Sequence, residues 1–308
     1  MTRPASGRPP PPAPGAPRRA RPDAGRMLSL TAVWGACFVT IRWGLRDAPV
    51  LWFAALRAMV AGAALVAVAE GQQRPRPSDR RAWMLIVALA VPNVTVAFAA
   101  MFAGVAGLAT GTAAVLANAQ PLLVLLPAWW LYGEPVSARM ALGLAVGFSG
   151  LVVVALPGGG GSGAWLSILS AVGISAGTLL ARRLVGIDLV QAAGWHFLLG
   201  GALLVAMAAS VEGWPRIDWT PRFVASLAFL ALAGTAAAFL VWFVEAQRCA
   251  IGPLAAWTFL TPVFGIGFGL VLAGERPGGW TVAGLALVVA SLAIVLGRSR
   301  AQAGAEPT

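Results

Sequence analysis

The 308-residue sequence contains no lysine, one histidine, one tyrosine and 11 acidic residues. Charged residues make up 11% of the chain, against about 25% in a soluble domain, and that shortage excludes an ordinary soluble globular protein. Its two cysteines, Cys37 and Cys249, lie far apart and form no CxxC or zinc pattern, so two free thiols are expected and a disulfide framework is excluded. There is no HExxH, no GxSxG at a strand turn and no cluster of metal ligands. The run Gly158 to Gly161 lacks the Lys-Ser/Thr of a phosphate loop and reads as a flexible external linker. No cofactor, metal or catalytic residue is expected.

What the sequence has in quantity is apolar residues, 59% of the chain, with a mean hydropathy of +0.80. Apolar runs of about 20 residues recur from Met27 to Gly297, the length needed to cross a bilayer. Charge, Pro and Gly clusters divide them into ten predicted spans, 27–45, 50–70, 82–103, 108–131, 138–156, 164–182, 190–211, 222–244, 253–273 and 279–297. Short loops and two tails remain, with no room for a separate catalytic or nucleic-acid domain. Residues 1–26, rich in proline and arginine, read as a disordered tail. A cleaved signal peptide competes with this reading, but no clear small-residue cleavage site follows the stretch.

All 22 basic residues are arginine. In a soluble chain they would suggest nucleic acid; here they report topology, and no nucleic-acid partner is expected. With the N-terminus in the cytoplasm, sixteen arginines fall inside and four outside, the latter being Arg46, Arg216, Arg222 and Arg276. The positive-inside rule then places both termini in the cytoplasm.

The two halves of the chain resemble each other. Residues 118–134 align with 259–275 at an offset of 141, matching Pro121 with Pro262 and Gly133-Glu134 with Gly274-Glu275. An offset of 139 aligns Gly62, Ala63, Leu65 and Val66 with Gly201, Ala202, Leu204 and Val205. The predicted fold is therefore all-α and polytopic, ten transmembrane helices in two five-helix repeats, 27–156 and 164–297, joined by a linker at 157–163 and followed by a cytoplasmic tail at 298–308. Five is odd, so the second copy enters the bilayer from the opposite face. Inverted repeats of this kind recur in secondary transporters, where rocking one half against the other exposes a midplane site to each side in turn.

The stretches 33-VWGACFVTIRWGL-45 and 53-FAALRAMVAGAAL-65, the NAQP and GE features between Asn118 and Glu134, and the second GE at Gly274-Glu275 resemble the EamA family of the drug/metabolite transporter superfamily. The resemblance covers about residues 27–297 and implies a ten-helix fold around a central cavity, commonly for export of amino acids or other small metabolites. One departure is Thr261 before Pro262, where many relatives carry Glu; it removes a carboxylate that could serve a proton or cation.

Three ionisable residues fall well inside predicted spans, Arg42, Arg57 and His196. A charge there costs at least about 2.5–3.5 kcal/mol and needs a partner or a wet cavity. Arg42 lies close enough to its helix end to snorkel. Arg57 sits about 10 Å below the external end of its helix, and its repeat partner His196 about 9 Å from the cytoplasmic end of its own. Arg57 either offers a planar fork to a substrate carboxylate or ties down backbone carbonyls; His196 is either a titratable group of the cavity or a packing residue. Asn93, Asn118 and Gln120, beside Pro92 and Pro121, are candidates for substrate contact or for glue between helices. Most of the 13 tryptophans lie near span ends as interfacial anchors. Trp34, Trp195, Trp242 and Trp257 lie deeper, where each either walls a cavity or packs in the core.

The function these features support is a secondary transporter of the inner membrane, exporting a small metabolite such as an amino acid by alternating access. Its partners are then a small-molecule substrate and the lipid bilayer; a homodimer is allowed but not required. Two rival readings are an intramembrane enzyme acting on a lipid or prenyl substrate and a non-transporting accessory protein, of which the first lacks an obvious acid pair or nucleophile–base pair.

Overall fold

The computed structural model describes residues 20–108, 110–134, 136–155, 162–274 and 278–296. Residues 1–19 of the expected tail, Gly158 to Gly161, Glu275, Arg276 and the C-terminal tail with Arg298 and Arg300 lie outside the described residues. Among those described the fold is all-helical. The helices are α1 (Ala24–Gly44), α2 (Val50–Gly71), α3 (Arg80–Ala90), α4 (Ala97–Gly107), α5 (Thr110–Ala117), α6 (Gln120–Tyr132), α7 (Ala138–Ala155), α8 (Ser162–Ala181), α9 (Leu189–Val211), α10 (Pro221–Ala228), α11 (Ala238–Arg248), α12 (Ile251–Ala256), α13 (Leu260–Ala273) and α14 (Gly279–Leu296).

Helix starts follow short polar caps. The side chains of Asp23, Asp79, Asp188 and Thr220 accept from the first-turn amides of α1, α3, α9 and α10. Asp23 moves the start of α1 to Ala24, three residues into the stretch read as disordered tail, because hydropathy does not register a cap. At the other end, α6 and α13 stop at Gly133 (φ 61°) and Gly274 (φ 65°), left-handed positions that favour glycine.

Seven described helical segments are long and apolar enough to cross a membrane: Ala24–Gly44, Val50–Gly71, Arg80–Gly107, Gly163–Leu184, Leu189–Val211, Pro221–Arg248 and Ile251–Leu272. Three shorter apolar helices, Leu123–Tyr132, Ala138–Val153 and Gly279–Val295, occupy the remaining expected spans. The expected continuous span 108–131 is instead two helices, α5 and α6, broken at Asn118 and Ala119 just before Pro121. Proline has no amide hydrogen and its ring clashes with the preceding turn, so the chain re-starts there. Two π-helical stretches, Val91–Val96 and Phe229–Ala237, join α3 to α4 and α10 to α11.

Small residues set how the helices pair. α2 lies antiparallel to α9, with Gly62 against Gly194 and Leu198, and Gly201 against Met59. α7 lies antiparallel to α14, where Gly143, Gly147 and Gly150 meet Val295, Ser291 and Gly284. Such close backbone approach is what small residues permit in lipid, where dispersion replaces the hydrophobic effect between helices. α1 packs along α13 and α4 along α8, and these four helices, with α2, α5, α6 and α11, line one cavity.

Candidate functional site

Arg57, on α2, is 2% exposed. Its Nε donates to the Thr235 hydroxyl at 2.7 Å and its Nη2 to the Gly234 carbonyl at 3.2 Å. The guanidinium carbon stands 4.5 Å from the centroid of Phe98 and 5.8 Å from that of Phe102, a cation–π arrangement that partly replaces water. The third nitrogen, Nη1, is buried without a hydrogen-bond partner. Thr235 in turn donates to the Leu230 carbonyl five residues back at 2.7 Å, so the π stretch holds the oxygen that receives Arg57.

Arg57 lines a central cavity of about 40 Å³ together with Trp34, Cys37, Phe38, Met101, Ala117, Asn118, Gln120, Ile174, Phe239 and Thr261. The break between α5 and α6 brings Asn118 and Gln120 to its wall. Asn118 Nδ2 donates to the Ala114 carbonyl at 2.6 Å, and Gln120 Nε2 donates to the Thr178 hydroxyl at 2.8 Å. The Thr261 hydroxyl is buried without a hydrogen-bond partner. Trp34 closes one side, its ring 5.8 Å from Phe239 and 5.3 Å from Trp242. The wall is thus apolar and aromatic, with one cation and a few neutral polar groups; among the described residues no carboxylate lines it.

Of the nine residues singled out from the sequence, the fold brings Trp34, Arg57, Asn118 and Gln120 around this cavity. Trp242 stands behind Trp34 with its indole N–H donating to Thr178 at 3.0 Å. His196 and Asn93 do not line the cavity. They meet each other, Asn93 Nδ2 to His196 Nε2 at 3.2 Å, with the imidazole packed against Phe197 and Phe243. Trp195 bonds Gln191 at 3.1 Å and packs on Trp83, while Trp257 opens the 3₁₀ turn between α12 and α13.

Two constructions resemble each other. Arg57 on α2 is held by Gly234 and Thr235 of one π stretch, and His196 on α9 is held by Asn93 of the other. Residues of the site that carried no signal in the sequence are Cys37, Phe38, Met101, Ile174 and Phe239, apolar or weakly polar members of apolar runs. Pro92 marked the first π stretch; nothing comparable marks the second.

A second polar cluster joins several helix ends. The Glu134 carboxylate accepts from Arg182 Nη1 at 2.5 Å and from the Ile251 amide at 2.9 Å, at the start of α12. Arg182 also donates to the carbonyls of Ala246 and Cys249. Glu245 receives Arg26 at 3.0 Å and the Cys249 thiol at 3.3 Å. The ends of α6, α8 and α11 and the beginnings of α1 and α12 are joined through these residues.

A profile of the EamA-like transporter family matches residues 26–156 and again 161–297. An uncharacterized transporter of Synechocystis sp. is 27% identical over 292 residues, 85% of this chain and 86% of that one. A probable terminal-alkyne amino-acid exporter of Streptantibioticus cattleyicolor is 29% identical over 288 residues, 89% of this chain and 94% of the relative. A probable amino-acid metabolite efflux pump of Salmonella typhimurium is 26% identical over 292 residues, with 89% and 94% covered. A solved crystal structure with 19% identity superposes at a TM-score of 0.72 over 88% of this chain and 95% of its own, a likeness of fold. Two matches of one profile, spanning nearly all of the apolar sequence, settle the affiliation: this chain belongs to the EamA-like transporter family.

Proposed function

We propose that the chain is a secondary transporter of the inner membrane, with ten spans in two inverted five-helix repeats and both termini cytoplasmic, which exports a small carboxylate-bearing metabolite, an amino acid or related compound, by alternating access. The observation that carries this reading is Arg57: a buried cation with one guanidinium nitrogen unpartnered, on the wall of a cavity that no acid lines among the described residues. A permanent charge so placed needs an anionic partner or water, and a passing carboxylate supplies the former. The twofold profile match, the antiparallel pairing of α2 with α9 and of α7 with α14, and the paired π-stretch constructions support the inverted repeat. The Salmonella and Streptantibioticus relatives, a probable amino-acid metabolite efflux pump and a probable terminal-alkyne amino-acid exporter, support export of amino-acid-like compounds.

Comparison of extracellular metabolite profiles of cells with and without the protein tests the reading, an accumulating carboxylate outside the expressing cells being the expected result. Arg57→Lys retains the charge but loses the planar fork and should slow export; Arg57→Ala should abolish it at normal expression. Unchanged export by Arg57→Ala would reduce the residue to packing. Reporter fusions after residues 160 and 305 should report opposite faces of the membrane; the same face for both would remove the ten-span topology and the inverted repeat with it.

A further inference from the structure

The charge balance of the cavity narrows the substrate further. Among the described residues its wall carries one formal charge, that of Arg57, and the position before Pro262 is the neutral Thr261. Resting on the transporter reading above, we propose that the preferred substrate is a compact 2-hydroxy monocarboxylate with a short apolar body, taken ahead of the zwitterionic amino acid of the same skeleton.

A monoanion cancels the charge of Arg57 and leaves the loaded cavity neutral, whereas a zwitterion leaves it at one positive charge in a place lined by Trp34, Phe38 and Phe239. An ammonium group there faces a like charge and finds no carboxylate among the described wall residues, and both raise the free energy of the charged form. What the wall offers opposite Arg57 is neutral. Asn118 and Gln120 each spend one amide N–H on Ala114 and Thr178 and keep a carbonyl oxygen and a second N–H, neutral groups that suit a hydroxyl. The Thr261 hydroxyl and Arg57 Nη1, both without a partner, are donors for the carboxylate. Size sets the other bound: a cavity of about 40 Å³ takes only a small solute.

The test uses the full-length protein in detergent and isothermal titration with three probes of one skeleton: 2-hydroxybutyrate, 2-aminobutyrate and 2-aminobutyramide. The expected order is hydroxy acid tightest, amino acid at least tenfold weaker, and the cationic amide without measurable binding. Arg57→Gln should remove binding of the hydroxy acid. Thr261→Glu, which makes the wall neutral, should shrink the preference for the hydroxy acid over the amino acid by at least tenfold. If the amino acid binds as tightly as the hydroxy acid and both depend on Arg57, the charge argument is overturned while the cavity keeps its role. Hydroxy-acid binding indifferent to Arg57→Gln overturns the placement of the carboxylate. If none of the probes binds, the proposed class is wrong, and the transporter reading then stands or falls on the export profile alone.

Discussion

A guanidinium in an apolar interior needs partners, and Arg57 finds them for two of its three nitrogens through a single neighbouring helix stretch. Thr235 is the more exposed to test, because its hydroxyl both receives Arg57 and anchors on Leu230. Thr235→Val keeps the shape, strands Nε and should destabilise the protein by about 1–3 kcal/mol, the cost of an unsatisfied buried donor; a melting curve in detergent measures it. His196 behaves differently. It lies among Phe197, Phe243 and Asn93 and away from the cavity wall, so His196→Gln, which still offers Asn93 an acceptor, should leave transport intact. Outside the spans, Asp47 accepts from Arg222 at 2.6 and 2.9 Å, and this pairing holds its carboxyl below the ordinary carboxylate value. A depressed folded value means that the contribution is complete above the unfolded value, about 3.9, and is lost as pH falls through the lower folded one. The stability difference between wild type and Asp47→Asn should therefore be constant from about pH 5 upward and vanish in stronger acid.

At the scale of helices, backbone distance decides what a substitution does. A Cβ on Gly150 would come 2.7 Å from the Gly284 carbonyl, so Gly150→Ala can be accommodated only by parting α7 from α14. About 1–3 kcal/mol of destabilisation is expected, as for other overpacked interiors. Gly267, inside α13, has nothing within 4 Å of its would-be Cβ; Gly267→Ala should instead stabilise by about 0.5–1 kcal/mol through lost backbone freedom. Opposite signs for two identical chemical changes check the packing directly. The same scale shows where the sequence was legible. Apolar runs and their polar punctuation located the helical segments, and a lone arginine or an Asn-x-Gln in such a run stands out, so Arg57, Asn118 and Gln120 are recognisable from residue type and position alone. The α5–α6 break and the π stretches could not be located from hydropathy, because a change in hydrogen-bond register alters no hydropathy value. Phe239, Met101 and Ile174 sit in runs apolar on every side, where no period tells the cavity face from the lipid face.

For the whole molecule, the alternating access proposed above requires one end to be held shut while the other opens, and the cluster around Glu134 and Arg182 ties several helix ends together. It joins the end of α6 to that of α8 through the ion pair, to α11 through the Ala246 and Cys249 carbonyls, and to the start of α12 through the Ile251 amide. Those elements come from both halves of the sequence, so the halves cannot separate at this end without breaking it. Removing one partner of a buried pair is strongly destabilising to the arrangement that contains it, because the remaining charge is left without compensation. Glu134→Gln should therefore shift the population toward a form open at this end. Cys249 provides the readout, since its thiol is fully buried within the cluster, and burial together with the neighbouring Glu245 carboxylate pushes its pKa up to about 12. In the closed form it stays protonated and unreactive at pH 7–8, and opening both wets the thiol and returns it toward the ordinary value, about 8.5. In a Cys37→Ala background, maleimide labelling of Cys249 should be at least about tenfold faster in Glu134→Gln than in the parent, in line with a shift of about 1.4 kcal/mol or more in the opening equilibrium. An unchanged rate, in a variant whose elution profile and helicity match the parent, would show that the cluster stabilises the fold without governing its opening.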